Sequence, residues 1–204
     1  MSHAGGQQRH GRMHPKVIGS VVWLSGGFVG ISAAAMLSQA PADAALYAPL
    51  FAATYHAHSA LGLVVRDTSV SMPTLKGASP NWLKQFDDVP VALRRAASRT
   101  EPTRVRSLDV KSLPAGVRTV PAQATRAIVA SGTGEAWEAF KRQYNANGWL
   151  AFSDPVFAPT GLDALVYYEA ECGGLCGETG YAWLQRDSAQ LGWRLKKKIV
   201  KRMS

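Results

Sequence analysis

The apolar and polar positions separate a long apolar segment near the amino end from a region of mixed character. Val17–Leu37 carries no charged side chain, and its length matches the roughly 20 residues that a helix needs to cross a hydrocarbon core of about 30 Å. Residues 1–16 contain basic side chains and no acidic ones, which is typical of a cytoplasmic tail. The pattern predicts a transmembrane helix or signal peptide over residues 17–44 and an extracytoplasmic domain over residues 45–204.

Small residues after the apolar segment leave two outcomes open. Ser38-Gln39-Ala40 and Ala42-Asp43-Ala44 both place small side chains where a signal peptidase requires them. The apolar segment is longer than the roughly 7–15 residues of an ordinary signal-peptide core, which favours retention. The protein is therefore expected in the inner membrane with a periplasmic carboxyl-terminal domain, or in the periplasm after cleavage.

Several segments of the domain have apolar residues at helical spacing. Helices are predicted at residues 45–61, 82–86 and 91–98. Thr133 is suited to cap a further helix over residues 134–147, and Gly148 follows its end. One face of that helix carries three aromatic residues, which are expected to pack against the core: Trp137, Phe140 and Tyr144.

Strand-like segments dominate the carboxyl-terminal third. They lie at residues 149–152, 164–172, 181–186 and 193–200, after a shorter one at residues 63–65. The links between the last four are short and rich in turn-forming residues, which predicts a meander of antiparallel strands. The expected fold is α+β, a small antiparallel sheet with a packed helix, because that arrangement buries the aromatic face.

Alternation along the predicted strands assigns side chains to faces. In residues 164–172, the carboxylate-free positions Val166, Tyr168 and Ala170 are expected inside, and Tyr167, Glu169 and Glu171 outside. Carboxylates on the wet side of a sheet account for both glutamates, although they are also candidate acids or bases. In the last strand, an inner face is expected for Trp193, Leu195 and Ile199.

The charge balance bears on partners. Charged residues make up 18% of the chain and the net charge is +9, which favours contact with acidic surfaces. No base-reading motif and no interleaving of aromatic and basic residues accompanies the basic segments, so no nucleic acid is expected. Besides the membrane contact through residues 17–37, acidic lipid or a cell-wall polymer is a possible partner.

A glycine-rich loop between two predicted strands holds both cysteines of the chain, Cys172 and Cys176. A structural disulfide is the first interpretation, since the domain is placed in an oxidising compartment. Glycines permit the backbone conformations of so tight a loop. The candidate site of the loop comprises Gly173, Gly174, Gly177 and Glu178, with the Gly177 backbone and Glu178 presented at the rim.

Three other interpretations of the cysteines remain open. The thiols can be reduced and packed at the base of the loop, or they can form a redox pair, although Cys-x3-Cys differs from the Cys-x-x-Cys of thioredoxin-like sites. His56 and His58 can supply the further ligands of a zinc site. The sequence is interpreted as containing no metal site, no cofactor and no catalytic residue.

This segment also resembles an uncharacterised family of bacterial envelope proteins. The similarity lies in Ala164-Leu165-Val166-Tyr167, in the motif Cys172-Gly173-Gly174-Leu175-Cys176-Gly177, and in Leu184 and Trp193, which follow in that order. It covers residues 135–204 well and residues 45–70 loosely. The resemblance implies an envelope location and transfers no catalytic residue.

The sequence thus favours a membrane-anchored or secreted envelope protein that acts as a non-enzymatic binding or structural module. The alternative is an enzyme, or a redox or metal protein, that uses the Cys172/Cys176 loop.

Overall fold

The computed structural model describes residues 44–58, 62–99, 105–109, 113, 116–173, 176–188 and 192–203, without the side chains of residues 44 and 55–58. The predicted membrane segment at residues 17–37 lies outside these ranges. Among the residues described, no helix combines the length and the apolarity that a membrane span requires.

The domain contains five α-helices and seven β-strands in the described ranges. The helices are α1 (Ala44–His58), α2 (Pro80–Leu83), α3 (Val91–Arg99), α4 (Ala122–Ser131) and α5 (Gly134–Tyr144), with a 3₁₀ turn at Lys84–Phe86. The strands are β1 (Leu63–Arg66), β2 (Thr119–Val120), β3 (Gly148–Phe152), β4 (Val156–Phe157), β5 (Asp163–Glu171), β6 (Gly177–Gln185) and β7 (Arg194–Met203). The predicted α+β class is confirmed, whereas β2, β4 and α4 were not anticipated.

All seven strands form one sheet, but it is mixed rather than antiparallel. The strand order is β2-β1-β3-β5-β6-β7, with β4 also paired to β5. β1 runs parallel to both β2 and β3, which corrects the predicted all-antiparallel arrangement. Long connections containing helices separate β1 from these partners, and such crossovers are what parallel pairing requires.

The predicted hairpin is confirmed and is longer than expected. β5 and β6 pair without interruption from Asp163↔Gln185 to Glu171↔Gly177, and β7 pairs antiparallel with β6. β6 therefore begins directly after the cysteine loop, four residues earlier than Tyr181, where the prediction placed its start.

One face of the sheet packs on α1. Leu46, Tyr47 and Leu50 of this helix are buried in the same cluster as Val166 and Tyr168 of β5. The Tyr47 ring stacks on another buried ring of the sheet, Phe152, with centroids 4.9 Å apart. The inner position predicted for the carboxylate-free face of β5 is confirmed.

The opposite face is also covered, at both of its ends. Near β6 and β7, the 3₁₀ turn and α3 bury Phe86 and Leu93 against Tyr181 and Ile199. Near β1 and β3, Phe140 of α5 packs on the strands and is 1% exposed, while Trp137 and Tyr144 are partly buried. The predicted packing of the aromatic face of this helix against the core is thus confirmed, most fully for Phe140.

Two parts of the predicted sidedness are wrong, one because helices cover both faces and the other because of a β-bulge. Tyr167 was expected outside but is 7% exposed, because α3 and its neighbours cover this part of the second face. In β7, Trp183 pairs with Lys197 and Leu184 with Leu195, so a β-bulge falls at Lys196. The extra residue reverses the alternation. Leu195 consequently packs on the first face and Ile199 on the second, rather than sharing one face.

Candidate functional site

The cysteine loop joins β5 to β6 and meets the geometric condition for a disulfide. The two sulfur atoms lie at bonding distance, and the Cα atoms of Cys172 and Cys176 are 5.1 Å apart, within the usual range for a disulfide. The Cys172 amide donates a hydrogen bond to the Cys176 carbonyl at 2.8 Å. Gly173 has φ 111°, a conformation that favours glycine, whereas Gly174 and Leu175 lie outside the described residues.

The loop is packed tightly against the start of β3. A Cβ atom built on Gly148 overlaps the carbonyl oxygen of Glu171 and lies 2.9 Å from the Cβ of Cys172. Only a residue without a side chain fits this contact. Gly148 therefore lets β3 approach the end of β5 at the point where the loop begins.

Glu178 does not lie at the rim of the loop, which corrects the sequence prediction. Glu178 is 8% exposed, since it lies in β6 opposite Ala170 of β5 and shares the inner face of that residue. The Tyr168 hydroxyl donates a hydrogen bond to Glu178, and the Lys198 ammonium forms an ion pair with the carboxylate at 2.6 Å. The same ammonium lies 5.3 Å from the centroid of the Tyr168 ring.

These contacts have a structural consequence. Burial, followed by the hydrogen bond with Glu178, raises the pKa of the Tyr168 hydroxyl well above its ordinary value, so the hydroxyl stays protonated as a donor. Glu178 is thus held by two donors inside the domain. It is unsuited to meet a ligand at the loop.

The second face of the sheet contains a groove of about 770 Å³ between α4 and the end of β7. Its floor is formed by strand residues, namely Arg66, Trp149, Tyr167, Glu169, Glu171 and Thr179. Its walls are formed by Thr125, Arg126, Val129 and Ala130 of α4 and by Lys201 and Arg202 of β7. The volume falls within the range of about 300–1,000 Å³ that is common for ligand pockets.

Strand register arranges the floor of the groove into a row. Ala151 pairs with Glu169, Glu169 with Thr179, and Thr179 with Arg202. Val65 pairs with Leu150, so Arg66 follows beside Ala151. An arginine thus stands at each end of the row and a carboxylate at its centre, with short side chains between them.

A second β-bulge adds a cation to one end. Gly180 pairs with Val200 and Thr179 with Arg202, which leaves Lys201 as the extra residue. Consecutive residues of a regular strand face opposite sides, but the bulge allows both Lys201 and Arg202 to line the groove.

Partial burial perturbs the charged groups of the floor. It raises the pKa of Glu169, an effect that the neighbouring Arg66 opposes. It also raises the pKa of Glu171, where Arg202 opposes it. Burial lowers the pKa of the Arg66 guanidinium, Glu169 counteracts this, and Arg126 lowers it further. The groove therefore places opposite charges near each other in a partly desolvated setting.

These charges are close but not bonded to one another. Within the described part of the chain, the ion pairs involve none of the groove's six charged side chains: Arg66, Arg126, Glu169, Glu171, Lys201 and Arg202. Arg66 instead donates to the carbonyls of Thr68 and Ser69, at 3.3 and 3.0 Å. Several charged groups therefore keep donor or acceptor capacity toward the groove.

The sequence prediction centred on the cysteine loop and missed most of this groove. Glu169 and Glu171 were interpreted as solvated carboxylates or candidate acids or bases, and Arg202 only as part of a basic segment, while Arg66 and Arg126 were not singled out. The sequence contained one signal of the groove, since Glu169 and Glu171 place two carboxylates on the same face of an otherwise apolar strand. The cations could not be found in this way, since they come from β1, α4 and β7 and meet only in the folded domain.

Metal binding has limited support in the described ranges. No group of three His, Cys, Asp or Glu side chains gathers there in a way that holds a metal ion. The side chains of His56 and His58 lie outside the part described, so the zinc interpretation stays untested.

Comparison with known proteins gives no match for the chain among protein families, curated proteins or solved structures. The groove and the loop must therefore be interpreted from their own geometry.

Proposed function

We propose that the protein is a membrane-anchored or secreted envelope protein whose domain, residues 45–204, is a non-enzymatic binding module outside the cytoplasm. The amino-terminal pattern supports the location, and the groove between α4 and β7 supports the binding role. Acidic lipid or a cell-wall polymer is the proposed contact, with the membrane reached through residues 17–37.

One observation carries the binding role. Six charged side chains line an open groove, and within the described residues no ion pair satisfies any of them. Charged groups in a partly desolvated site attract a partner of opposite charge more strongly than the same groups do in water. Four of the six are cations, so the groove favours an anion.

The location is tested with reporters fused after Ser204 of the full-length chain. A reporter that is active only outside the cytoplasm should be active there, because basic residues before the apolar segment hold the amino end inside. Activity of a cytoplasm-only reporter at the same position would overturn the proposed location.

The binding role is tested by thermal unfolding of the full-length chain in detergent micelles, with phosphate and galacturonate as probes. A ligand that binds only the folded state raises the melting temperature by an amount that grows with the ratio of its concentration to its dissociation constant. We expect the rise to be smaller for Arg126→Gln, which lines the groove, than for Arg142→Gln on the exposed surface of α5. Equal rises for both variants would contradict binding in the groove.

A further inference from the structure

The cations of the groove stand at the two ends of a row that spans five strands. Arg66 belongs to β1 and Arg202 to β7, with β3, β5 and β6 between them. Four strand spacings separate their backbones by about 19 Å. Between them lie only Ala151, Glu169 and Thr179 in the same row. A small anion thus reaches one end of the row but not both.

Each end holds two cations. Arg126 lies near enough to Arg66 to affect its titration, and Lys201 stands next to Arg202 through the β-bulge. Like charges that share a site repel each other, and a bound anion relieves this repulsion. Within the described residues, none of these four cations forms an ion pair with a carboxylate that would relieve the repulsion. Both ends are therefore suited to anionic groups.

The centre of the row requires different chemistry. Glu169 at the centre of the row and Glu171, two residues further along the same strand, offer acceptor oxygens when they are ionised, and both remain partly buried. A phosphate or carboxylate placed there meets like charge, whereas a hydroxyl group donates a hydrogen bond. The centre therefore selects a neutral spacer that carries hydroxyl groups.

We propose that the groove binds an acidic oligosaccharide, with an anionic substituent at each end and the hydroxyl groups of the intervening sugar unit donating to Glu169 and Glu171. Arg66 and Arg126 hold one anionic substituent, and Lys201 and Arg202 hold the other. The inference rests on the proposed binding function and names its ligand class.

The side chains of the groove distinguish this ligand from a single-stranded nucleic acid. Proteins bind such strands largely by stacking bases on exposed aromatic rings. The two aromatic residues of the groove are covered, since Trp149 is 2% and Tyr167 7% exposed. Their rings offer no platform for stacking, so the groove lacks the element that bases need.

The test is calorimetric titration of the full-length chain in detergent micelles at low salt. The probe is the trimer glucuronate–N-acetylglucosamine–glucuronate, in which two carboxylates flank a neutral ring that carries hydroxyl groups. Maltotriose is the neutral control and tripolyphosphate is the anion without hydroxyl groups. We expect this acidic trimer to bind at least about tenfold more tightly than either control, a difference of about 1.4 kcal/mol.

Variants locate the binding. Arg126→Gln and Arg202→Gln, one at each end, should each weaken the trimer by about tenfold or more. Arg142→Gln removes the same charge outside the groove and should change binding by less than about twofold, since exposed distant charges are screened. Glu169→Gln should weaken the trimer yet strengthen tripolyphosphate, because it replaces a charged acceptor oxygen with an amide donor and removes the repulsion.

The contrary outcomes separate the ligand class from the binding function. Tripolyphosphate that binds as tightly as the trimer, and is weakened by Arg202→Gln but not by Arg142→Gln, would overturn the oligosaccharide while leaving the groove as an anion site. Binding that changes equally in all the arginine variants would show attraction by net charge alone. That result, or the absence of binding by every probe, would overturn both proposals.

Discussion

Tyr168 donates its hydroxyl hydrogen to Glu178 across neighbouring strands, inside the domain rather than at its surface. The two residues lie on the face of the sheet that packs on α1, and the Lys198 ammonium completes the cluster from β7. A carboxylate that looked like part of an exposed loop is thus a buried acceptor. Its two donors hold β5, β6 and β7 in register.

Tyr168→Phe should lower the free energy of unfolding by about 1–3 kcal/mol, because the buried carboxylate loses one donor. Tyr144→Phe is the matched control, since its hydroxyl makes no hydrogen bond within the described residues. Urea unfolding of both variants measures the difference. Equal stability of the two would contradict the assigned role of the Tyr168 hydroxyl.

Phe140→Ala should cost about 3–5 kcal/mol through lost burial and the cavity that remains. Phe140 contacts Trp149 with ring centroids 5.3 Å apart and is 1% exposed. Val91→Ala, at a position 51% exposed, should change stability by less than about 0.5 kcal/mol. Denaturant unfolding checks both values, and a loss below 1 kcal/mol for Phe140→Ala would argue against the packing of α5 on the sheet.

Gly148→Ala should destabilise the domain by about 1–3 kcal/mol, because the added Cβ overlaps the backbone of Glu171 and forces β3 away from the cysteine loop. Gly134→Ala is the control, since a Cβ there meets nothing within 4 Å. In the first turn of α5 this change should be neutral or stabilising. Thermal unfolding that affects both variants alike would exclude the close approach.

Glu169 should make stability depend on pH in a defined direction. Burial raises its folded pKa above the ordinary value of a glutamate, so the folded state binds more protons than the unfolded state between the two values. Stability from this group is fully present below the unfolded pKa and is lost as the pH rises through the folded pKa. Urea unfolding from about pH 4 to pH 7 should show a smaller decline for Glu169→Gln than for the unaltered chain. Asp88 and Glu138 also have shifted pKa values, which their hydrogen bonds with Lys197 and Lys141 lower. Both residues are present in both proteins, so their effects cancel when the two stability curves are subtracted. Identical slopes of stability against pH for the two proteins would refute the role of Glu169.

The two cysteines should resist alkylation unless a reductant is present, because their Cα atoms lie 5.1 Å apart, as in a disulfide. The sequence separation of 4 closes a very short loop. Cys172→Ser combined with Cys176→Ser should therefore lower stability by no more than about 2–4 kcal/mol. Mass spectrometry after alkylation checks the first expectation, and two alkylated thiols without reductant would favour the free-thiol or metal interpretations.

Local chemistry was enough to predict several elements from the sequence. The Thr133 hydroxyl caps α5 by accepting from the Ala136 amide at 3.3 Å, as a residue with that side chain does before a helical pattern. The hairpin of β5 and β6 also followed from alternation on both sides of a glycine-rich turn. Such features depend on neighbours within a few residues, which the sequence displays directly.

Only the tertiary structure decided which side chains meet. Glu178 faces inward because its partner in the sheet is Ala170. Two bulges in β7 change the faces on which Leu195 and Lys201 lie, which simple alternation along the strand does not predict. Arg66 and Arg202 belong to strands that are far apart in the chain. Parallel and antiparallel pairings place these strands in one sheet, four strand spacings apart, and so bring both arginines to the groove. The sequence by itself determined where most of the helices and strands form, because these depend on local periodicity and caps. The position of charge in the groove depended on long-range register, so it became visible only in the folded domain.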